Sequence, residues 1–285
     1  MKVRLPAHAG TFYPATRDDV VKAIEDSFKH PVGPGRLPER GGGSKPLPIA
    51  YVAPHAGYMY SGPVAAHVYY DLSTRYRPET VIIVGPNHTG LGLAASVWSE
   101  GYWRTPLGDV EVDSEAAKEL AKRTALIAPD EEAHIYEHSV EVQIPFLQYV
   151  LGEDFKIVPV VVLHQTLDAS LRIARAYISM REELYGDKIL LLATSDLNHY
   201  EPYDVTVEKD LKVLEAAETG DPESLWNTIE RLRVSACGPT PLTAAVASGK
   251  IAGGRVKVLK YANSGDVTGE KAWVVGYPAV LVDRS

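Results

Sequence analysis

Four short runs, at 49–53, 80–84, 156–163 and 188–193, are dense in Val, Ile, Leu and Ala and carry few polar residues. That pattern predicts strands covered on both faces. Between them, apolar positions recur every three or four residues. This spacing predicts helices at 18–29 (Thr16 as N-cap), 63–73, 114–123, 168–184, 205–219, 222–232 and 237–247, the last closed by Gly249. Residues 137–147 predict a further helix that kinks, or begins again at Ile144, because Pro145 lies within it. Residues 94–112 predict a hairpin or meander, with Trp103 and Pro106-Leu107-Gly108 at its turns, and 255–261 and 273–282 predict two closing strands. Strands alternating with helices predict a layered α/β/α arrangement around a central parallel or mixed sheet, one domain over 1–285, with an antiparallel part at the end. Only 31–48, rich in Gly and Pro and containing Gly41-Gly42-Gly43-Ser44, breaks the rhythm; it predicts a mobile surface loop.

The strands stop abruptly in polar or turn residues. Run 188–193 gives way to Thr194-Ser195-Asp196-Leu197-Asn198-His199-Tyr200, run 49–53 to Pro54-His55-Ala56-Gly57, and run 80–84 to Gly85-Pro86-Asn87-His88. Open α/β sheets bind their ligands beyond the carboxyl ends of strands. Together with Ala236-Cys237-Gly238-Pro239, these segments are expected to form one pocket.

Composition narrows the classes of function. The 285 residues are 45% hydrophobic and 23% charged, with a formal net charge of -8, which argues against a broad nucleic-acid surface. No apolar run approaches the ~20 residues that span a bilayer. The first residues lack the apolar core of a secretory signal, so a cytoplasmic location is expected. The single Cys237 excludes an intramolecular disulfide and a cysteine-rich zinc site. Sparse Asn, Gln and Cys hint at a thermophilic source.

His55 and His88 occupy equivalent strand-end turns, and imidazole suits Fe, Zn, Cu and Ni, so together they suggest a metal pair. Asp196 can orient His199 or bind a metal; His199 can act as acid/base. Cys237 stands before a helix N-terminus that favours a thiolate, which is both nucleophile and soft ligand. Glu137-His138-Ser139 is either a helix start or outer support for a ligand.

Several motifs, in order, resemble the Memo family. They are His8-Ala9-Gly10 with Tyr13, Pro54-His55-Ala56-Gly57-Tyr58, Gly85-Pro86-Asn87-His88, the run from Glu137-His138-Ser139 to Pro145-Phe146, Ser195-Asp196 with His199, Cys237-Gly238, and Tyr261 before Ser264. The resemblance runs from about residue 5 to 280 and implies a microbial, archaeal member. It implies a fold related to class III extradiol ring-cleaving dioxygenases, which bind Fe(II) through two His and a carboxylate. By that resemblance His55, His88 and Cys237 would hold the metal. His199, Asp196 and Cys237 would carry the chemistry, and His8, Tyr58, Asn87, Glu137, His138 and Tyr261 would line or support the pocket. Cys237 in place of the carboxylate departs from the dioxygenases and puts ring cleavage in question. Animal relatives are described as binding iron or copper and phosphotyrosine peptides; the peptide role is not carried over.

Three readings follow. One is a redox-active protein with Fe(II) or Cu, Zn being able to fill the same ligands and aerobic purification able to empty them. Another is a binding module whose vestigial cleft takes a peptide or small anion. The third is a hydrolase with Cys237 as nucleophile, His199 as base and Asp196 as orienter. The expected partner is a small molecule or peptide, with no nucleic acid and no membrane; the oligomeric state stays open.

Overall fold

The computed structural model describes residues 2–285. In chain order the elements are β1 (Val3–Arg4), α1 (Arg17–Lys29), β2 (Ala50–Ala53), α2 (Tyr58–Ser73), β3 (Thr80–Pro86), β4 (Ala95–Val97), β5 (Tyr102–Thr105), β6 (Gly108–Val112), α3 (Ser114–Thr124), β7 (Ala128–Pro129), α4 (Gln143–Leu151), β8 (Lys156–Val162), α5 (Leu167–Met180), β9 (Ile189–Thr194), β10 (His199–Glu201), α6 (Tyr203–Glu218), α7 (Pro222–Arg231), α8 (Pro239–Ala252), β11 (Arg255–Asn263), α9 (Ser264–Thr268) and β12 (Val274–Asp283).

All strands join one mixed sheet, in the path β1-β5-β6-β8-β3-β9-β2-β12-β10, with β11 beside β12 and β4 and β7 off the β8 side. Its centre, β8-β3-β9-β2, is parallel, and β12 then runs antiparallel to β2. Successive side chains enter opposite layers, as a pleated strand requires. Tyr51, Val81, Ile83, Leu190 and Leu192 pack under α1, α2 and α4, while Val52, Ile82, Val84, Leu191 and Ala193 pack under α3 and α5 to α8. Both faces are apolar because both are covered, which is why these strands read as unbroken hydrophobic runs. The expected α/β/α layering with a mixed sheet is present. No helix among the described residues is long and apolar enough to cross a membrane.

Several boundaries differ from the sequence expectation. Helix α2 starts at Tyr58 rather than at residue 63, and Pro63 sits inside it. Its first turn is held by Tyr58 N donating to Phe12 O across the chain at 2.8 Å, a bond no local pattern reveals. The stretch 137–142 is not helical; α4 begins at Gln143, so of the two expectations for Pro145 the fresh start holds, with the proline in the first turn where its missing N–H costs nothing. Trp103 lies inside β5 rather than at a turn, buried beneath the Arg4 guanidinium 4.2 Å from its ring centre. Gly249 does not end α8; it lets the helix approach Val282, and the helix closes at Gly253 with φ +69°. Helix α5 stops at Met180 and passes into a wider turn, Arg181–Tyr185. The pieces β1, β7, β10 and α9, of two to five residues, carried no periodic signal. Residues 31–48 hold no helix or strand, and backbone bonds from Gly43 to Arg75 and from Lys45 to Thr74 tie their later part to the end of α2.

The amino-terminal segment is fastened by a buried ion pair. Arg4 Nη1 donates to Glu141 Oε2 at 2.6 Å, both side chains being at most 2% exposed. The same carboxylate accepts from Ala7 N, His8 N and Tyr13 Oη. Arg4→Met leaves that carboxylate buried without its counter-ion and is expected to cost about 3–5 kcal/mol in chemical denaturation. A loss under ~1 kcal/mol would show that the three remaining donors hold it unaided.

Candidate metal centre

Strand β9 lies between β3 and β2, and all three run parallel, so their carboxyl ends share one edge. Thr194, the last residue of β9, pairs in register with Ala53 of β2. His55 therefore emerges beside Asp196, and His88 emerges from the other flank.

His55 is 1% exposed, and both ring nitrogens have partners. Thr194 Oγ1 donates to Ala53 O at 2.7 Å and receives Gln143 Nε2 at 3.1 Å. Its one hydrogen is spent, so it can only accept from His55 Nδ1, 2.7 Å away. Gln143 is itself fixed, its Oε1 accepting from Tyr69 Oη and its Nε2 donating to Pro54 O. The chain Tyr69–Gln143–Thr194 thus places the proton on His55 Nδ1 and leaves a lone pair on Nε2.

His88 is set by a different device. Glu137 accepts from His88 N and, through Oε1, from His88 Nδ1 at 2.8 Å. The same carboxylate accepts from His138 N and Ser139 N. Burial alone would raise its pKa, but the bonds and charges of His88 and the charge of His138 prevail and bring it down to about 2. A carboxylate so held again leaves Nε2 of the histidine free.

His138 stacks on His88 with ring centres 4.4 Å apart, and Phe12 covers its other face at 4.2 Å. His55 meets both imidazoles edge to face, at 5.2 and 5.5 Å. Burial, then the neighbouring imidazoles, pushes His138 down to about 3 and His55 well below the usual histidine range, so both offer lone pairs at neutral pH.

One ligand atom from each of His55, His88 and His138 lies within 4.8 Å of the others, and the same holds for His55, Asp196 and Cys237. The trio expected from sequence, His55, His88 and Cys237, is not among these sets. His138 takes the third place beside the imidazoles, and Cys237 groups instead with His55 and Asp196. Cys237 Sγ is 3.0 Å from His55 Nε2 and accepts Asp196 N at 3.3 Å. Since Nε2 carries no proton, the thiol hydrogen points to it. Burial first, then the Asp196 charge, raises the thiol well above its ordinary value. The lowered thiol pKa expected from the helix N-terminus is not favoured here: the half-buried Cys237 is next to a carboxylate and outside a helix whose first residue is Pro239. Asp196, whose Oδ1 accepts His55 N at 2.9 Å, is itself raised by burial to about 6.

A cavity of about 570 Å³ opens over these groups, lined by His55, His88, His138, Asp196 and His199 and rimmed by Tyr60, Tyr200 and Trp273. His199 Nδ1 lies 2.8 Å from Ser235 O, a carbonyl that can only accept, so Nε2 is the basic atom.

The whole chain is related to known proteins. A model of "Memo-like protein" matches residues 4–281. A "MEMO1 family protein" of Aeropyrum pernix is 67% identical over 99% of this chain and 100% of its own length. Relatives of the same name from Ignicoccus hospitalis and Methanopyrus kandleri are 48% and 46% identical, over 98% and 99% of this chain and 98% and 99% of theirs. The chain belongs to the Memo family. Its relatives here are archaeal, in line with the resemblance read from the motifs. A crystal structure of an uncharacterized protein from Escherichia coli K12 shares the fold, with a TM-score of 0.54 at 15% identity over 81% of this chain and 99% of that one.

Not every expected pocket residue of this Memo protein lies in the cavity. Tyr58 faces the core, its hydroxyl donating to Val142 O at 2.6 Å. Asn87 shapes its own loop, accepting from Thr89 and Gly90 and donating to Leu91 O. Tyr261 donates to Asp210 Oδ2 beneath the turn that carries Asn198. His8 stands outside His138, with its rings 5.6 Å apart, and bonds Tyr136 O. Phe12, Tyr60, Trp273 and Tyr277 line the cavity without having been singled out for it; aromatic residues on loops and edges carry no mark of convergence.

Glu137 supplies a pH-dependent prediction. Its pKa falls from 4.5 to about 2 on folding, so it stabilises the native state above pH 4.5 and loses that contribution as pH falls toward 2. The stabilities of wild type and Glu137→Gln should therefore differ most near neutrality and converge across that window. Parallel curves would show that the carboxylate is not held as described.

Proposed function

We propose that this protein holds one first-row transition-metal ion at the imidazole cluster and carries out redox chemistry on a small molecule admitted through the cavity. The observation that supports this is the convergence of His55, His88 and His138, two of them with Nε2 lone pairs dictated by their bonds to Thr194 and Glu137. This donor set suits Fe(II), Cu or Zn and not Mg²⁺ or Ca²⁺, which want oxygen shells. Fe(II) and Cu remain the leading assignments. Such an ion would supply a Lewis-acidic, redox-capable centre.

The chain's own residues do the rest. His55 Nε2 can serve either the Cys237 proton or the ion. With an ion held at His55 Nε2, the Cys237 thiol would lose that partner, its ionisation would be favoured by the nearby charge, and its sulfur would be available as a soft ligand. His199, with Nε2 directed by the Ser235 carbonyl, gives or takes the substrate proton. Asp196 holds the His55 backbone and balances charge.

The hydrolase reading gains nothing from the geometry. Cys237 meets His55 rather than His199, burial opposes the thiolate–imidazolium pair, and Asp196 binds the His55 backbone. A binding module has one observation in its favour: Tyr60, Tyr200 and Trp273, exposed by 41%, 67% and 68%, ring the mouth of the cavity.

Anaerobic titration of Fe(II), Cu(I) and Zn(II) tests the assignment. His55→Ala, His88→Ala and His138→Ala should each weaken binding at least tenfold. Thr194→Val, which removes the acceptor of His55 Nδ1 together with the bonds to Ala53 O and Gln143 Nε2, should cost about 10–100-fold. Cys237→Ser should weaken Cu(I) more than Zn(II). Wild-type affinity for all three metals in His55→Ala and His88→Ala would refute the metal site.

A further inference from the structure

A second cavity, of about 420 Å³, lies against the first. Phe12 lines both, and the start of α2 and the short α9 contribute residues to each. At the start of α2, its N-cap Gly57 and Tyr60 line the imidazole cavity, whereas Met59 and one face of the inward-turned Tyr58 ring line the second. In α9, Ser264 faces the first and Val267 the second. The side of α1 carrying Ala23 and Ser27 closes the far wall. The middle of this cavity is apolar, with Pro63 and the Tyr58 ring for walls and Met59, 72% exposed, as an uncovered rim. Polar groups come from Thr11 in the amino-terminal loop and from Asp26, Ser27 and His30 at the α1 end. There Val32 N donates to His30 Nδ1 at 3.0 Å, which leaves a proton on Nε2 of the neutral ring, and Asp26 Oδ2 is held by Lys22 at 2.6 Å.

We propose that this second cavity receives the apolar arm of the same molecule whose polar head sits at the imidazole cluster. The substrate class is then an elongated one: a metal-binding head, a hydrocarbon arm of several methylenes passing Phe12, and a tail that accepts a hydrogen bond from His30. The argument is one of continuity and complementarity. The two volumes are each of ligand size, they share Phe12 as a lining residue, and the exposed sulfur-bearing side chain of Met59 adapts readily to an apolar guest. The identity of the head rests on the metal-site reading; the arm rests on the cavity alone.

The test uses Zn(II)-loaded protein and three probes: acetohydroxamate, octanohydroxamate and 1-octanol, measured by calorimetry. Filling variants are Val267→Trp and Ala23→Leu, on different elements, each checked by circular dichroism so that one misfolded variant does not decide the matter. In wild type, affinity should rise with chain length by up to about fourfold per methylene. Octanohydroxamate should bind at least about tenfold more tightly than acetohydroxamate. The filling variants should remove that gain and leave acetohydroxamate unchanged. If both hydroxamates bind equally in wild type, or the gain survives in both folded variants, the arm site is wrong and the metal site stands. If acetohydroxamate fails to bind but 1-octanol binds and is lost in the filling variants, the metal reading falls and the apolar site stands. If neither hydroxamate nor 1-octanol binds, the second cavity is no ligand site.

Discussion

A buried carboxylate with nowhere to send its charge shapes the centre of this molecule. Glu137 is 1% exposed and accepts four N–H groups, from His88 backbone and ring and from His138 and Ser139. Desolvation on that scale is tolerated only when every lone pair is used. The consequence is geometric. The 137–142 turn cannot drift from the end of β3, and two imidazoles, one bonded by its ring and one by its backbone, are locked into a stack. Remove the charge and both the turn and the histidine tautomer lose their reason.

Around that constraint the protein repeats one device. His55, His88 and His199 each have Nδ1 committed to a partner that can play only one hydrogen-bonding role. Thr194 has spent its hydrogen on Ala53 O, Ser235 offers His199 a carbonyl, and Glu137 is an acceptor only. Protons are thereby assigned by partners that lie behind the rings, and Asp196 is the one carboxylate lining the cavity. Burial works in the same direction, disfavouring imidazolium at His55 and His138 and thiolate at Cys237. Imidazole lone pairs, a thiol and the Asp196 carboxylate are crowded together, which is unfavourable for an anionic nucleophile and favourable for an incoming cation.

The amino-terminal segment belongs to this centre although it is far from it in sequence. The Arg4–Glu141 pair anchors residues 4–13, and the anchored loop delivers Phe12 onto His138 and its carbonyl to Tyr58 N. A surface-looking stretch thus sets both the first turn of α2 and the wall between the two cavities.

The strands 49–53, 80–84, 156–163 and 188–193 were legible because a strand buried on both faces leaves an apolar run that needs no context. Amphipathic helices were legible because each presents one stripe to the sheet. His55, His88 and Asp196 could be grouped because parallel strands put their carboxyl ends on one edge, a rule of topology that the sequence pattern already implies. What the sequence could not decide was which atoms meet. The role of His138, the partnership of Cys237 with His55, the inward turn of Tyr58 and the self-contained loop of Asn87 depend on angles between elements brought together from distant positions. Pro145 announced a break but not its side, because a carboxylate eight residues earlier, bonded to a strand-end turn 49 residues away, holds the preceding turn. Burial of the thiol, too, follows from packing around Asp196 rather than from the helix N-terminus that the local motif displays. Periodicity and strand-end chemistry are local and written in the chain; proton placement and ligand grouping arise from contacts that exist only once the sheet has closed its layers.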